Sequence, residues 1–327
     1  MKKILITGGA GFIGAHVVNY FVKTFKKDVI INLDCLTYAS DARNLADIEN
    51  EKNYKFLELN INNSNDINNV FKNYGITHVI HLAAESHVDR SIDDSGTFAL
   101  TNIIGTLNLL EAAKNNWSNK TDHLFYHIST DEVFGSLGHK GSFKENTRYD
   151  PKSPYSASKA SSDHFVRAYF NTHKLPVIIS NCSNNYGPFQ NTEKFIPKVI
   201  NSLINKEIIP IYGDGKNIRD WLYVGDHISA IKTIFSSGKI GESYNIGGGF
   251  EISNLMLVEL IIDIFKEITT EKFNYIDLIN FIDDRKGHDF RYSIDNSKIN
   301  AELGWSPSMS FERGIRDTIK WFLNQNN

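Results

Sequence analysis

Three glycines and an aspartate constrain what this chain can fold into more than any other feature. A short apolar run, Lys3 to Thr7, empties into Gly8-Gly9-Ala10-Gly11-Phe12-Ile13-Gly14, and a helical pattern continues through Phe25. Gly8, Gly11 and Gly14 permit a tight turn, close approach of a pyrophosphate, and close packing of helix on strand. A second strand, Asp28 to Leu33, ends in Asp34, twenty residues beyond Gly14. A carboxylate there holds a ribose diol and repels a 2′-phosphate, so NAD is expected in preference to NADP. A glycine triplet alone says little, but strand, glycines, helix, strand and acid in register define a dinucleotide-binding unit.

The alternation continues. Tyr54 to Leu59 reads as a third strand, ending at Asn60-Ile61, where an adenine ring would be met. Thr77 to Leu82 is a fourth, and the small Ala83 and Ala84 after it leave room for a cofactor. A helix of about Ser95 to Asn115 follows, with apolar residues at Leu100, Ile103, Ile104, Leu107 and Leu110. His123 to Ile128 is a fifth strand and Leu175 to Ser180 a sixth, with a helix opening at Pro154 between them. This rhythm predicts an α/β fold, a doubly wound parallel sheet of Rossmann type, with ligands beyond the carboxyl ends of the strands. After Pro188 the rhythm changes to helical and loop segments, with one further strand at Ser243 to Ile246. The expected division is therefore a nucleotide-binding domain of residues 1–186 plus about 225–250. The smaller, partly discontinuous lobe takes 187–224 and about 251–327.

Chemistry gathers at the fifth strand and the helix after it. The strand ends in Ser129-Thr130-Asp131-Glu132, and the helix carries Tyr155 and Lys159 four residues apart, hence on one face. A phenol is a poor base at neutral pH, so Lys159 is expected to stabilise the Tyr155 phenolate and lower its pKa. Tyr155 would then take a hydroxyl proton while hydride leaves the same carbon for NAD. Two adjacent carboxyls can divide acid and base roles if their surroundings push their pKa values apart. Arg219 and Arg285 offer guanidinium forks to a diphosphate.

Composition narrows the classes. A net charge of −3 gives no support to nucleic-acid binding through a basic surface. The two cysteines, Cys35 and Cys182, make neither a disulfide framework nor a metal site and read as small buried thiols. No histidine–carboxylate spacing suggests a metal; His81, His127 and His227 are expected to pack or hydrogen-bond structurally. The basic-then-apolar start stops at glycine, too short for a signal-peptide core, and no stretch is long enough to span a membrane. A cytoplasmic protein is expected.

The words His87-Val88-Asp89-Arg90-Ser91, Ser129 to Gly135, Ser183 to Pro188, Ile218 to His227 and Asp284 to Asp289 resemble the extended short-chain dehydrogenase/reductase family. With Thr130-Asp131-Glu132 they resemble its sugar-nucleotide 4,6-dehydratases, over nearly the whole chain. The resemblance implies NAD that is regenerated at each turnover, dTDP-glucose as substrate, a 4-keto-6-deoxy product, a place in deoxysugar biosynthesis, and a homodimer joined through the helices about 95–115 and 155–172. It implies Glu132 as base at C5, Asp131 as acid at the C6 hydroxyl, and Thr130, Tyr155 and Lys159 at the redox step. It further implies cofactor contacts from Gly8, Gly11, Phe12, Ile13, Gly14, Asp34, Leu36, Thr37, Asn60 and Ile61. Leu82, Ala83, Ala84, Ser86, Thr101 and Asn185 complete that set. Substrate contacts are implied for Ser86, His87, Asn184, Lys194, Phe195, Pro210, Ile211, Tyr212, Arg219, Asn254, Arg285 and His288. Asn60 stands where the family carries an aspartate facing adenine, and Cys35 and Ser40 replace a lysine and a glycine near the ribose. A UDP-sugar 4-epimerase or decarboxylase is the alternative enzyme, though Asp131-Glu132 disfavours the epimerase. A protein that only senses NAD is the alternative class.

Overall fold

The computed structural model describes residues 1–118 and 121–325. In chain order the strands are β1 (Lys3–Thr7), β2 (Val29–Asp34), β3 (Tyr54–Glu58), β4 (His78–His81), β5 (Leu124–Thr130) and β6 (Val177–Cys182). Then come β7 (Asn184–Tyr186), β8 (Ile209–Tyr212), β9 (Ile218–Tyr223), β10 (Ser243–Ile246), β11 (Glu251–Ser253) and β12 (Ile279–Ile282). Seven of these form one parallel sheet in the order β10-β6-β5-β4-β1-β2-β3. The order reverses between β1 and β4, and the crevice beyond those strand ends is where such a sheet receives a ligand. Both faces are covered, which is why β5 is buried at every position, with no in–out alternation.

The helices numbered in chain order begin with α1 (Phe12–Thr24) and α2 (Ser64–Tyr74), then α3 (Val88–Asp93), α4 (Ser95–Phe98), α5 (Thr106–Asn116) and α6 (Pro154–His173). One face of the sheet packs Val17, Val18 and Phe21 of α1 against Ile231, Ile234 and Phe235; the other packs α2, α5 and α6 through Phe71, Leu110 and Val166. Pro154 occupies the first turn of α6 as expected, and Ser153 and Ser156 close a reciprocal capping box there. That cap fixes the start of the helix one residue before Tyr155.

The helix expected over about Ser95 to Asn115 is interrupted. Residues Ala99–Gly105 form a π-helical segment between α4 and α5. Its physical role is visible in Asn102, which is 1% exposed. The Asn102 side chain accepts from the Glu85 N–H at 2.8 Å and donates to the Glu85 carbonyl at 3.0 Å and to Ser158 Oγ at 2.8 Å. One amide thus pins the loop after β4 to α6. A hydrophobic period cannot reveal such a widened turn.

The remaining chain holds more strand than its sequence suggests. β11, β9 and β7 form a three-stranded sheet and β12 pairs with β8. These strands are three to six residues long and come from distant parts of the chain, so no alternation marks them. With α7 (Phe195–Asn205), α9 (Asn254–Thr269) and α11 (Phe311–Gln325), counting α8 as Val224–Ser237 and α10 as Ser297–Leu303, they enclose a second core. β7 follows β6 after one residue, so the polypeptide passes from the large sheet to the small one at the end of β6.

Replacing Asn102 with Ala removes three hydrogen bonds and leaves the Glu85 N–H without its acceptor. The expected loss is about 2–3 kcal/mol in urea-induced unfolding, since an unpaired buried donor costs about 1–3 kcal/mol. NAD affinity should fall with it, read by equilibrium dialysis.

Candidate active site

The strand ends and the lobe enclose a cavity of about 490 Å³. Its floor is the glycine turn. Gly8 has φ +73°, and a Cβ there would lie 2.7 Å from the Ala83 backbone; a Cβ on Gly14 would lie 2.0 Å from the Gly8 carbonyl oxygen. No side chain caps α1, so the unpaired N–H groups of its first turn are available to an anion. Asp34 lines the same cavity; its carboxylate accepts from Ala10 N (2.9 Å), Leu36 N (2.9 Å) and Ser40 Oγ (2.9 Å). An anion-binding helix start followed by a carboxylate at the next strand end suits a dinucleotide bearing a free ribose diol. The chain's residues therefore fit NAD.

Of the expected cofactor residues, Gly8, Gly11, Phe12, Ile13, Gly14, Asp34, Thr37, Asn60 and Ile61 line this cavity, as do Leu82, Ala83, Ala84, Ser86, Thr101 and Asn185. Leu36 does not; it sits at φ +52° with its side chain in solvent, and only its N–H reaches Asp34. Cys35 is an exposed thiol at the cavity, a correction to its reading as buried, whereas Cys182 is buried as expected. Ser129, Ser183, Gln190, Asn191 and Glu193 also line the cavity and were not anticipated. The first two stand at the start of motifs already quoted but were not assigned a contact; the others lie on an irregular loop that carries no periodic signal.

The candidate catalytic residues meet at the inner wall. Thr130 ends β5 and its Oγ accepts from the Glu132 N–H, capping a short 3₁₀ turn, Asp131–Phe134. Val133 and Phe134 anchor that turn in a small apolar cluster with Phe143, Ala160 and Tyr292. Two carboxyls are thereby held on a rigid corner. Burial pushes Asp131 well above the usual carboxylate range, and the neighbouring Glu132 and Asp220 charges add to it. Its Oδ1 accepts from Thr130 Oγ1 at 3.3 Å while Oδ2 has no hydrogen-bond partner. Glu132 is also raised by burial, but Arg219, Lys194 and Arg285 all pull it back. Like charge thus outweighs the opposing Arg219 around Asp131, whereas Arg219, Lys194 and Arg285 stand against the single Asp289 charge around Glu132.

Tyr155 is 8% and Lys159 5% exposed. The Tyr155 phenol is pushed well above its ordinary value, first by burial and then by the Glu132 charge, while the Thr130 hydroxyl opposes this. The Lys159 ammonium donates to the Ile128 carbonyl at 2.8 Å; burial lowers its proton affinity and the Asp163 charge opposes this. His81 is fully buried between the Thr7 and Thr106 hydroxyls, His127 pairs with Asp163, and His227 reaches Asn185, so the three histidines are structural as read.

Lys194 and Asn184 line the cavity, and Lys194 Nζ donates to the Ser86 carbonyl at 2.8 Å. Arg219 is buried behind the carboxyls, over the Tyr292 ring at 4.3 Å, with its guanidinium donating to the carbonyls of Ile218, Asp289 and Phe290. Tyr212, Arg285 and His288 form a separate cluster. Arg285 pairs with Asp89 at 2.6 Å, Tyr212 donates to Asp89 at 3.3 Å, and His288 pairs with Asp284 at 2.7 Å. His87 caps α3 beside Glu193 and lies outside the lining, as do Phe195, Pro210 and Asn254. Ile211 is fully buried in the lobe core, where its side chain meets no ligand. Among the described residues there is no metal-holding group of histidine, cysteine and carboxylate side chains, and no helix is long and apolar enough to cross a membrane.

A doubly wound sheet with a dinucleotide cradle, a Tyr-Lys pair and two adjacent carboxyls at one strand end defines the class: an extended short-chain dehydrogenase/reductase. The family model for GDP-mannose 4,6-dehydratase matches residues 5–318. A dTDP-glucose 4,6-dehydratase of Haemophilus influenzae is 49% identical over 99% of this chain and 98% of its own. One from Salmonella typhimurium is 49% identical over 98% and 92%. Among solved structures, the dTDP-glucose 4,6-dehydratase of Streptomyces venezuelae with NAD and dTDP bound superposes with a TM-score of 0.92 at 39% identity, covering 99% of this chain and 98% of that one. The UDP-glucose 4-epimerase of Thermotoga maritima gives 0.88 at 28% identity, covering 99% and 100%. The chain belongs to the GDP-mannose 4,6-dehydratase family.

The carboxyl pair has a consequence for stability. Folded Asp131 takes up its proton at higher pH than the unfolded side chain, so the folded state binds more protons between the two values and stability falls as pH rises through that window. Asp131→Asn should therefore raise stability at neutral pH, and the gain should vanish in acid. Urea unfolding at a series of pH values reads this directly.

Proposed function

We propose that this enzyme dehydrates dTDP-glucose to dTDP-4-keto-6-deoxyglucose. The observation that carries the reading is the pair Asp131 and Glu132, adjacent, the first buried and the second half-buried, in unlike electrostatic surroundings at the cavity that Tyr155 and Lys159 also line. Dehydration across C5 and C6 requires such an acid and base together. NAD, when bound, supplies the acceptor for hydride from C4 and the donor that returns it to C6.

The chain's residues manage the protons. Tyr155 takes the C4 hydroxyl proton, with Thr130 holding that oxygen and Lys159 supplying positive charge behind it. A ketone at C4 makes the C5 proton acidic, and Glu132, kept closer to its ionised form by Arg219, Lys194 and Arg285, removes it. Asp131, kept protonated by burial and by Glu132, gives its proton to the C6 hydroxyl, which departs as water. Glu132 then returns a proton to C5, and the cycle closes as Tyr155 releases the proton it took and Asp131 takes one up from solvent. One water leaves, and neither oxidant nor reductant is consumed. Lys194, Asn184 and Ser86 face the sugar, and Arg219 and Arg285 supply positive charge on the lobe side for the diphosphate.

A homodimer belongs to the same reading. Ile92, Leu100, Ile104 and Phe165 are 37%, 50%, 43% and 38% exposed along α3 to α6, where a second copy would cover them. The cytoplasm is the compartment in which an enzyme of this kind meets NAD and a nucleotide sugar.

Incubating the protein with dTDP-glucose should give a product lighter by one water, and in D₂O that product should carry one solvent deuterium at C5. Intact substrate in the presence of saturating NAD would overturn the reading. Tyr155→Phe should lower kcat by about 10²–10⁴-fold, the range of a lost general base, with NAD binding retained; unchanged turnover would exclude Tyr155 as base.

A further inference from the structure

Behind the Tyr155–Lys159 pair lies a buried carboxylate that the reaction above does not use. Asp163 is fully buried on α6, one helical turn beyond Lys159 on the same face. Four side chains from three directions donate to it or face it: His127 Nε2 at 3.1 Å and Ser129 Oγ at 2.9 Å from β5, Tyr149 OH at 2.8 Å from the loop before α6, and Asn181 Nδ2 at 3.3 Å from β6. Ser129 immediately precedes the catalytic Thr130. This is a carboxylate held by so many donors that it stays ionised in the core, and its proton affinity is correspondingly depressed despite burial.

A buried anion of this kind needs a buried cation, and the groups around it leave Lys159 for that part. His127 is pushed down to about 4 by burial and by Lys159, so it is neutral. His81, whose ring lies 5.2 Å from that of His127, is also fully buried and lowered. Cys182 of β6 is pushed up to about 12, a neutral thiol. Tyr149 is a phenol held by Asp163, with Arg167 beyond it at 3.4 Å, and Tyr155 on the other side of Lys159 is a phenol as well. Asp163 is therefore the carboxylate whose charge favours the Lys159 ammonium, against burial that disfavours it. Removing one partner of a buried charge pair leaves the other uncompensated.

We propose that Asp163 is a positioning residue of the reaction, the buried counter-anion that keeps Lys159 charged and so keeps Tyr155 competent to give up its proton. This rests on the reading of Tyr155 and Lys159 as the acid–base pair. A merely structural carboxylate would tie β5, β6 and α6 together and leave Lys159 unaffected.

The test follows the Lys159 ammonium itself, in the full-length protein with lysines labelled with ¹³C at Cε and the Lys159 resonance assigned by its loss in Lys159→Arg. No substrate or NAD is added, so the result stands apart from whether dTDP-glucose is the substrate. Lys159 should be charged at neutral pH in the wild type. In Asp163→Asn its proton affinity should fall by about tenfold or more, the scale of a neighbouring charge in a buried site. The kcat profile of that variant should move to higher pH with KM little altered, and Asp163→Glu should restore both. Tyr149→Phe, which removes a hydrogen bond but no charge from Asp163, should leave the Lys159 titration in place. A neutral Lys159 in the wild type at neutral pH overturns the proposal, and that measurement holds even if Asp163→Asn does not fold. An unchanged Lys159 titration in a folded Asp163→Asn overturns it equally.

Discussion

Two carboxyls sit side by side on a corner, Asp131 buried and Glu132 half-buried, and much of the structure is arranged around that electrostatic problem. Burying like charges together is unfavourable unless one of them keeps its proton or cations are brought in. The chain does both. Burial and the Glu132 and Asp220 charges raise Asp131 against Arg219, while the charges of Arg219, Lys194 and Arg285 all favour ionised Glu132. Those three cations all come from beyond the end of β6, on the lobe side. The sheet alone would present two carboxyls with no means of telling them apart. The lobe, with its small sheets and its cations, makes them different.

The same logic operates one layer deeper. Lys159 and Asp163 place opposite charges one helical turn apart inside the sheet's packing, among histidines and a thiol that burial keeps neutral. The Ser153–Ser156 capping box fixes where α6 begins, and the π-helical stretch around Asn102 ties the loop after β4 to α6. Hydrogen bonds made by uncharged polar side chains thus set the positions on which the charges depend.

Much of this was legible in the sequence, for physical reasons that can be named. A strand emptying into spaced glycines, a helix, and an acid at the next strand end admit few structures, and the seven-stranded parallel sheet follows from the alternation after them. Pro154 and the Tyr155–Lys159 spacing announced α6. The lobe was less legible because β7, β8, β11 and β12 are three or four residues long and pair with segments far away in the chain. Asn102 and Asp163 were not singled out, since a buried amide and a buried carboxylate look in sequence like any polar residue on a helix. Spacing placed Lys159 beside Tyr155, but it could not register that the ammonium also donates to the Ile128 carbonyl. Arg219 reads in sequence as a phosphate fork; the sequence could not show that it is buried with its guanidinium on three carbonyls, where its charge also favours ionised Glu132.

The central claim is that Asp131 and Glu132 differ in protonation at neutral pH before any substrate arrives. Infrared difference spectra between the wild type and Asp131→Asn, and between the wild type and Glu132→Gln, test it most directly. The account predicts a protonated-carboxyl band at neutral pH that disappears with Asp131→Asn and persists with Glu132→Gln. Two ionised carboxylates, or a protonated band that follows Glu132, would contradict it.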